Sequence, residues 1–183
     1  MIRYVAFLRG INVGGRNIVK MENLRKIFQS LEFDDVRTYI QSGNVLFSTE
    51  ETRSGTIVQK IENTLLTQLG FEVKTIIRTA AHLENLLKQK PFGKEKPSEK
   101  LKLYVTFTGE ELSVMPSLPL ISSNRDLEVF RIVGRDLFTL SREFKGRFGF
   151  PNNFIEDQLR IKATTRNWET IRKMPAITNL STG

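Results

Sequence analysis

The sequence predicts an α+β protein made of two ferredoxin-like (βαββαβ-type) subdomains, the second degenerate, with a C-terminal helix. Three observations carry that expectation. Short β-branched and aromatic runs alternate with segments whose apolar residues recur at helical spacing. The first six such elements fall in the order β-α-β-β-α-β. The second half repeats the pattern in degraded form. Residues 1–90 are read as a ferredoxin-like subdomain with one extra helix, and 91–183 as a second α+β subdomain with the C-terminal helix.

Taken in order, 3–9 (RYVAFLR) is short, aromatic and β-branched, and Gly10 bounds it, so it reads as a strand. Met21, Leu24, Ile27, Phe28 and Leu31 share one face of a helix over 20–31. Val36–Ile40 and Asn44–Ser48 form a hairpin about Gln41-Ser42-Gly43, where glycine supplies the backbone freedom. Ile57, Ile61, Leu65, Leu66 and Leu69 mark a second helix that Gly70 stops, and Phe71–Arg78 is the closing strand. Ala80–Gln89 is the extra helix, followed by a linker-like stretch, QKPFGKEKPSEK. Beyond it come a strand over 101–107, a short helix or turn region over 109–121 with Pro116 and Pro119, and strands 127–133 and 136–141 about Gly134-Arg135. Helices near 152–159 and 166–174 end the pattern.

The composition narrows the chemistry. The 183 residues include no cysteine and one histidine, His82, so disulfides, thiolate nucleophiles, iron–sulfur clusters and multi-histidine metal sites are excluded. No metal and no cofactor is expected. The apolar start is short and is interrupted by Arg9, unlike a signal core, and no stretch approaches a membrane span. The expected location is the cytoplasm. Net charge is +8, with 13 basic and 9 acidic side chains in residues 1–90 and 15 and 11 in 91–183. Such a balance suits anionic partners, and equally suits ordinary solvated faces.

Three polar constellations stand out. In Arg9-Gly10-Ile11-Asn12-Val13-Gly14-Gly15, glycines between a strand and a helix let N–H groups turn toward an anion, with Arg9 and Arg16 flanking. The spacing matches neither dinucleotide-binding nor Walker patterns, and a plain reversing connection is the alternative. In Thr38–Asn44, the groups Gln41, Ser42 and Asn44 exceed what a turn needs; Ser42 lacks a triad base. In Lys162–Thr170, Thr164 or Thr165 could cap the last helix. Arg166 and Asn167 would then sit at its start, where an anion is favoured, and Trp168 would anchor the core with Ile171 and Met174.

The runs LRGINVGGRNIVKMENL, TYIQSGNVLF and TTRNWETI closely resemble a bacterial family, the domain of unknown function 1697, over residues 2 to about 174. That resemblance implies a cytoplasmic α+β protein with ferredoxin-like subdomains and brings no reaction. Its signature falls here on Arg9, Gly10, Asn12, Gly14, Gly15, Ser42, Gly43, Asn44, Thr165, Arg166, Asn167 and Trp168.

The leading functional expectation is a phosphate-ligand site, for a nucleotide or nucleic acid, in a cleft between subdomains. Its residues would be Arg9, Gly10, Asn12, Gly14, Gly15, Arg16, Gln41, Ser42, Asn44, Thr165, Arg166 and Asn167. One alternative is an enzyme using Arg9 and Arg166 on a phosphorylated or carboxylated small molecule, with Asp34, Asp35 or Glu169 as base by default. The other is a non-catalytic module whose motifs fasten the chain together.

Overall fold

The computed structural model describes residues 1–178, with side chains described through Met174. Its contacts divide the chain into two units: Met1–Glu84 together with the stretch from Met174 onward, and Asn85–Lys173. Each is an α+β unit around an antiparallel sheet.

The first unit runs β1 (Ile2–Leu8), α1 (Met21–Gln29), β2 (Asp34–Tyr39), β3 (Asn44–Thr49), α2 (Ser54–Leu69) and β4 (Thr75–Thr79), and α3 (Ala80–Lys88) begins in it. Its strands lie in the order β2-β3-β1-β4 with every neighbour antiparallel, the ferredoxin-like arrangement. Strand periodicity sends Tyr4, Ala6, Leu8, Val45, Phe47 and Ile77 to one face. There they form a core with Leu24, Ile27 and Phe28 of α1 and Ile57, Ile61 and Leu65 of α2. Phe47 is its centre, stacked on Phe33 at 4.4 Å and tilted against Phe28 at 5.9 Å. Gly70 ends α2 in the left-handed region (φ 78°) and donates its N–H to Leu66 O at 2.9 Å. The closing strand starts later than its apolar run suggests, because Phe71–Lys74 only lead into it.

The second unit contains the end of α3, then β5 (Leu101–Thr108), β6 (Leu120–Ile121), β7 (Leu127–Val133), β8 (Asp136–Phe144), β9 (Arg147–Phe148), α4 (Pro151–Leu159), β10 (Ala163–Asn167) and the start of α5 (Trp168–Thr178). The sheet order is β10-β5-β8-β7-β6, with β9 added on β8. Dropping the edge strand β6 leaves the order of the first sheet, β10, β5, β8 and β7 standing for β4, β1, β3 and β2. The crossover helix is what has degenerated. Where the first unit has α1, residues 109–126 form an irregular segment that holds only β6. Pro116 and Pro119 remove donors and block a helix there, which decides between the two readings of that region. Under α4, Val129, Leu137, Ile155 and Ala163 make a small core.

The repeat reaches individual residues. Tyr4-Val5-Ala6-Phe7 of β1 corresponds to Tyr104-Val105-Thr106-Phe107 of β5. Phe7 pairs with the buried Asn44 at the start of β3, and Phe107 with the buried Asp136 at the start of β8. Val5 faces Arg78, and Val105 faces Arg166. Both arginines are buried, and each turns one Nη1 back to the carbonyl of the preceding residue at 2.9 Å, Ile77 and Thr165 respectively.

Two expectations need correction. Residues 163–167 are a strand, and the last helix begins at Trp168, so neither Thr164 nor Thr165 caps it. The β-branched threonines complete the sheet next to β5, and Asn167 does the capping, its Oδ1 accepting from Glu169 N at 2.9 Å. The linker-like stretch after α3 is likewise not bare linker. Phe92 is buried there, 5.2 Å from Trp168 and 5.6 Å from Phe138 between ring centroids. Trp168 is a core residue, as its helical face predicts.

Candidate functional site

The glycine-rich segment between β1 and α1 folds into a small hairpin of its own. Val13 and Arg16 bridge, with Arg16 N donating to Val13 O at 3.1 Å around Gly14 (φ 59°) and Gly15 (φ 72°). Two consecutive positive φ values are what a two-residue hairpin turn needs, and only glycine adopts them freely. Asn12 N donates to Asn17 O at 3.1 Å, and Asn17 Nδ2 returns to Gly10 O at 3.1 Å.

The Asn12 side chain secures the base of this hairpin. Its Oδ1 accepts from Val19 N at 2.7 Å, while Nδ2 donates to Val19 O at 3.0 Å and to Gln41 O at 3.1 Å. The last bond joins the loop to the β2–β3 turn. Ile11 makes the same connection through packing. A Cβ on Gly43 would lie 2.8 Å from Ile11 Cγ1, so glycine at 43 is what lets Ile11 seat. Leu8 N donates to Gly43 O at 2.8 Å alongside. Within the turn, Asn44 Nδ2 donates to Ser42 Oγ at 2.7 Å and to Tyr39 O at 3.1 Å.

The first and second sequence constellations are therefore one place in the first unit. Arg9, Gly10, Asn12, Gly14, Gly15, Arg16, Gln41, Ser42 and Asn44 gather about the loop and the turn. Asn44 is buried, Arg9 and Ser42 are half-buried, and Gly14, Gly15, Arg16 and Gln41 are exposed. Beside them opens a hollow of about 300 Å³ lined by Asn12, Gly15, Ile18, Val19, Lys20, Met21 and Gln41. Its lining holds one cation and no carboxylate. Lys20 is the N-cap of α1 and makes no side-chain cap, so the first N–H groups of the helix keep their partial positive charge there. Glu22, the acidic residue of that turn, is held by Lys26 at 3.0 Å, which keeps its carboxyl below the usual range.

The third constellation lies in the second unit, inside its sheet. Thr165 Oγ1 and Thr106 Oγ1 are 2.8 Å apart, and Thr165 also donates to Asn152 Oδ1 of α4 at 3.1 Å. Arg166 Nη1 donates to Thr164 Oγ1 at 2.8 Å, and burial pushes the guanidinium down to about 10. The candidate bases lie elsewhere. Asp34 and Asp35 are exposed at the start of β2, and Glu169 pairs with Arg172 at 2.8 Å. Among the described residues no group of three or more metal-ligating side chains is assembled, and no helix is long and apolar enough to cross a membrane.

Lys20 and Ile18 are lining residues that motif reasoning passed over. The available signal was a lysine placed immediately before the first helical residue, at the end of a glycine loop.

Fold and site together define a duplicated ferredoxin-like α+β protein with a fastened glycine hairpin at one end of its first sheet. The chain belongs to the DUF1697 family, described as proteins of unknown function, whose match spans residues 1–138. Its fold is similar to the solved structure of the conserved bacterial protein SP0830 from Streptococcus pneumoniae. The TM-score is 0.72 at 22% sequence identity, over 96% of this chain and 98% of that one. No curated protein matches the chain.

Proposed function

We propose that the first unit binds a phosphate group, carried by a nucleotide or a nucleic-acid strand, at the hollow between the glycine hairpin and the start of α1. The observation that carries this is the lining: Lys20, the Gln41 side-chain amide and an uncapped helix start, with no carboxylate. Arg16 on the exposed hairpin tip adds a guanidinium suited to bidentate contact. The net charge of +8 favours encounter with such a ligand.

A second reading, fastening without a ligand, is favoured by Asn12, whose amide is taken up by Val19 and Gln41. One experiment separates the two. Inorganic phosphate, a nucleoside triphosphate and a short oligonucleotide are titrated at low and high salt. For the oligonucleotide, Lys20→Ala should weaken binding and lower the salt slope by about 0.7–0.9 while leaving Tm unchanged. Asn12→Ala should lower Tm under either reading. Absence of any salt-sensitive binding leaves only the fastening role.

A further inference from the structure

We propose that the second unit contains a separate site for a planar aromatic ring bearing one negative group. The place is a hollow of about 330 Å³ formed by the end of α3, the loop 90–97, β5 and the first turn of α5. That volume lies at the small end of ordinary ligand sites, enough for a bicyclic ring.

Its floor is apolar and partly aromatic: Leu87, Pro91, Phe92, Leu103 and Trp168. Phe92 is fixed from three sides, at 5.2 Å from Trp168 and 5.6 Å from both Phe130 and Phe138, so the floor is set before a ligand arrives. The loop is fixed as well. Gly93 N donates to Lys90 O at 2.8 Å, Glu95 N to Phe92 O at 3.0 Å and Lys90 N to Leu87 O at 3.1 Å. A preset aromatic wall selects a flat ring, because offset or edge contacts add to the burial of its faces.

The rim selects charge. Arg172 and Glu169 neutralise one another at 2.8 Å. That leaves Lys90 and Lys96 against Glu95, and neither lysine makes an ion pair among the described residues. An aromatic carboxylate or sulfonate would place its ring on the floor and its anion at the rim that carries Lys90 and Lys96. This hollow shares no lining residue with the one by the glycine hairpin, so each can fail alone.

Trp168 is the chain's only tryptophan and lines the site, so the intact protein carries its own reporter. Naphthalene-2-sulfonate should quench its emission saturably with one-to-one stoichiometry. Naphthylmethanol and naphthylmethylammonium should bind about tenfold more weakly or worse. The double variant Lys90→Glu/Lys96→Glu should lose about tenfold in affinity for the sulfonate. Leu87→Phe, at a half-buried position of the floor, should fill the space and abolish the response, with circular dichroism confirming that both variants fold. The proposal is overturned by no saturable change up to millimolar sulfonate, by equal binding of the three naphthalenes, or by indifference to both variants.

Discussion

The two sheets share a strand order and several residues, yet they treat the residue before the third strand differently. In the first unit it is Gly43, which accepts from Leu8 N at 2.8 Å; in the second it is Arg135, which accepts from Thr108 N at 2.9 Å. The backbone contact is the same. Ile11 sits on the α-carbon of Gly43, whereas Arg135 has room for a full side chain and reaches Gly109 O at 2.9 Å. What differs is the crossover that follows the first strand. Glycines and Asn12 fold it down onto the turn in one unit, and prolines hold it irregular in the other. The shared framework fixes where strands begin; the crossovers decide what chemistry each unit can present.

Substitutions at the matched residues should separate the two units most strongly. Gly43→Ala puts a Cβ at positive φ (72°) and 2.8 Å from Ile11, combining a backbone penalty of about 1–2 kcal/mol with overpacking of similar size. A loss of about 3 kcal/mol is expected in urea unfolding. Arg135→Ala keeps the Cβ and removes the guanidinium's contacts, Gly109 O among them, and should cost about 1 kcal/mol. Gly14→Ala, at φ 59° with nothing within 4 Å, should fall between them because only the backbone penalty remains. Equal effects at 43 and 135 would mean that Ile11 does not bear on the turn.

A smaller effect is expected where apolar contact in one unit is replaced by hydrogen bonding in the other. Ala6 and Ile77 face each other across β1 and β4; Thr106 and Thr165 occupy the matching positions and bond to each other and to Asn152. Thr165→Val leaves the buried Thr106 hydroxyl and Asn152 with one partner fewer, at a cost of about 1–3 kcal/mol. The triple change Thr106→Ala/Thr165→Ile/Asn152→Leu converts this layer to the apolar kind and should recover most of that loss. If the triple variant is worse than the single one, the hydroxyl pair carries more than its own satisfaction.

These correspondences also explain what could be read before the structure. β1, α1, the β2–β3 hairpin and α2 were legible because Leu24, Ile27, Phe28 and the Ile57–Ile61–Leu65 stripe follow clean periods, and Gly70 is a strong stop. The strand 163–167 is not legible in the sequence, because Thr164 and Thr165 next to Trp168 satisfy a helix-start pattern equally well. The choice is made by pairing with β5, a partner some sixty residues away. The matching pair Arg78-Thr79 ahead of α3 was the clue, since it shows the same strand-to-helix junction in the first unit. At the candidate site the loop and turn could be named from sequence. That Asn12 is consumed by Val19 and Gln41 could not, because those bonds exist only once the hairpin has folded.

The smallest effect concerns the connection from β3 to α2, which a charged side chain secures. Glu51 Oε1 accepts from Thr52 N and Arg53 N, both at 2.9 Å, and its other oxygen pairs with Arg53 at 3.2 Å. The bonds from Arg53 hold its carboxyl down at about 2, against an ordinary value of 4.5. A carboxyl depressed on folding contributes stability that is fully present above the ordinary value and is lost as pH falls through the folded one. The window is therefore pH 4.5 down to about 2. Glu51→Gln should flatten the stability profile within that window, so that the variant is less stable by a constant amount above pH 4.5 and converges on the parent toward pH 2. Because the pair is exposed, the difference should shrink in molar salt. Urea midpoints measured at pH 5 and pH 2.5, at low and high salt, check both statements. A difference between the two proteins that survives molar salt would transfer the effect from the charge to the geometry of the turn.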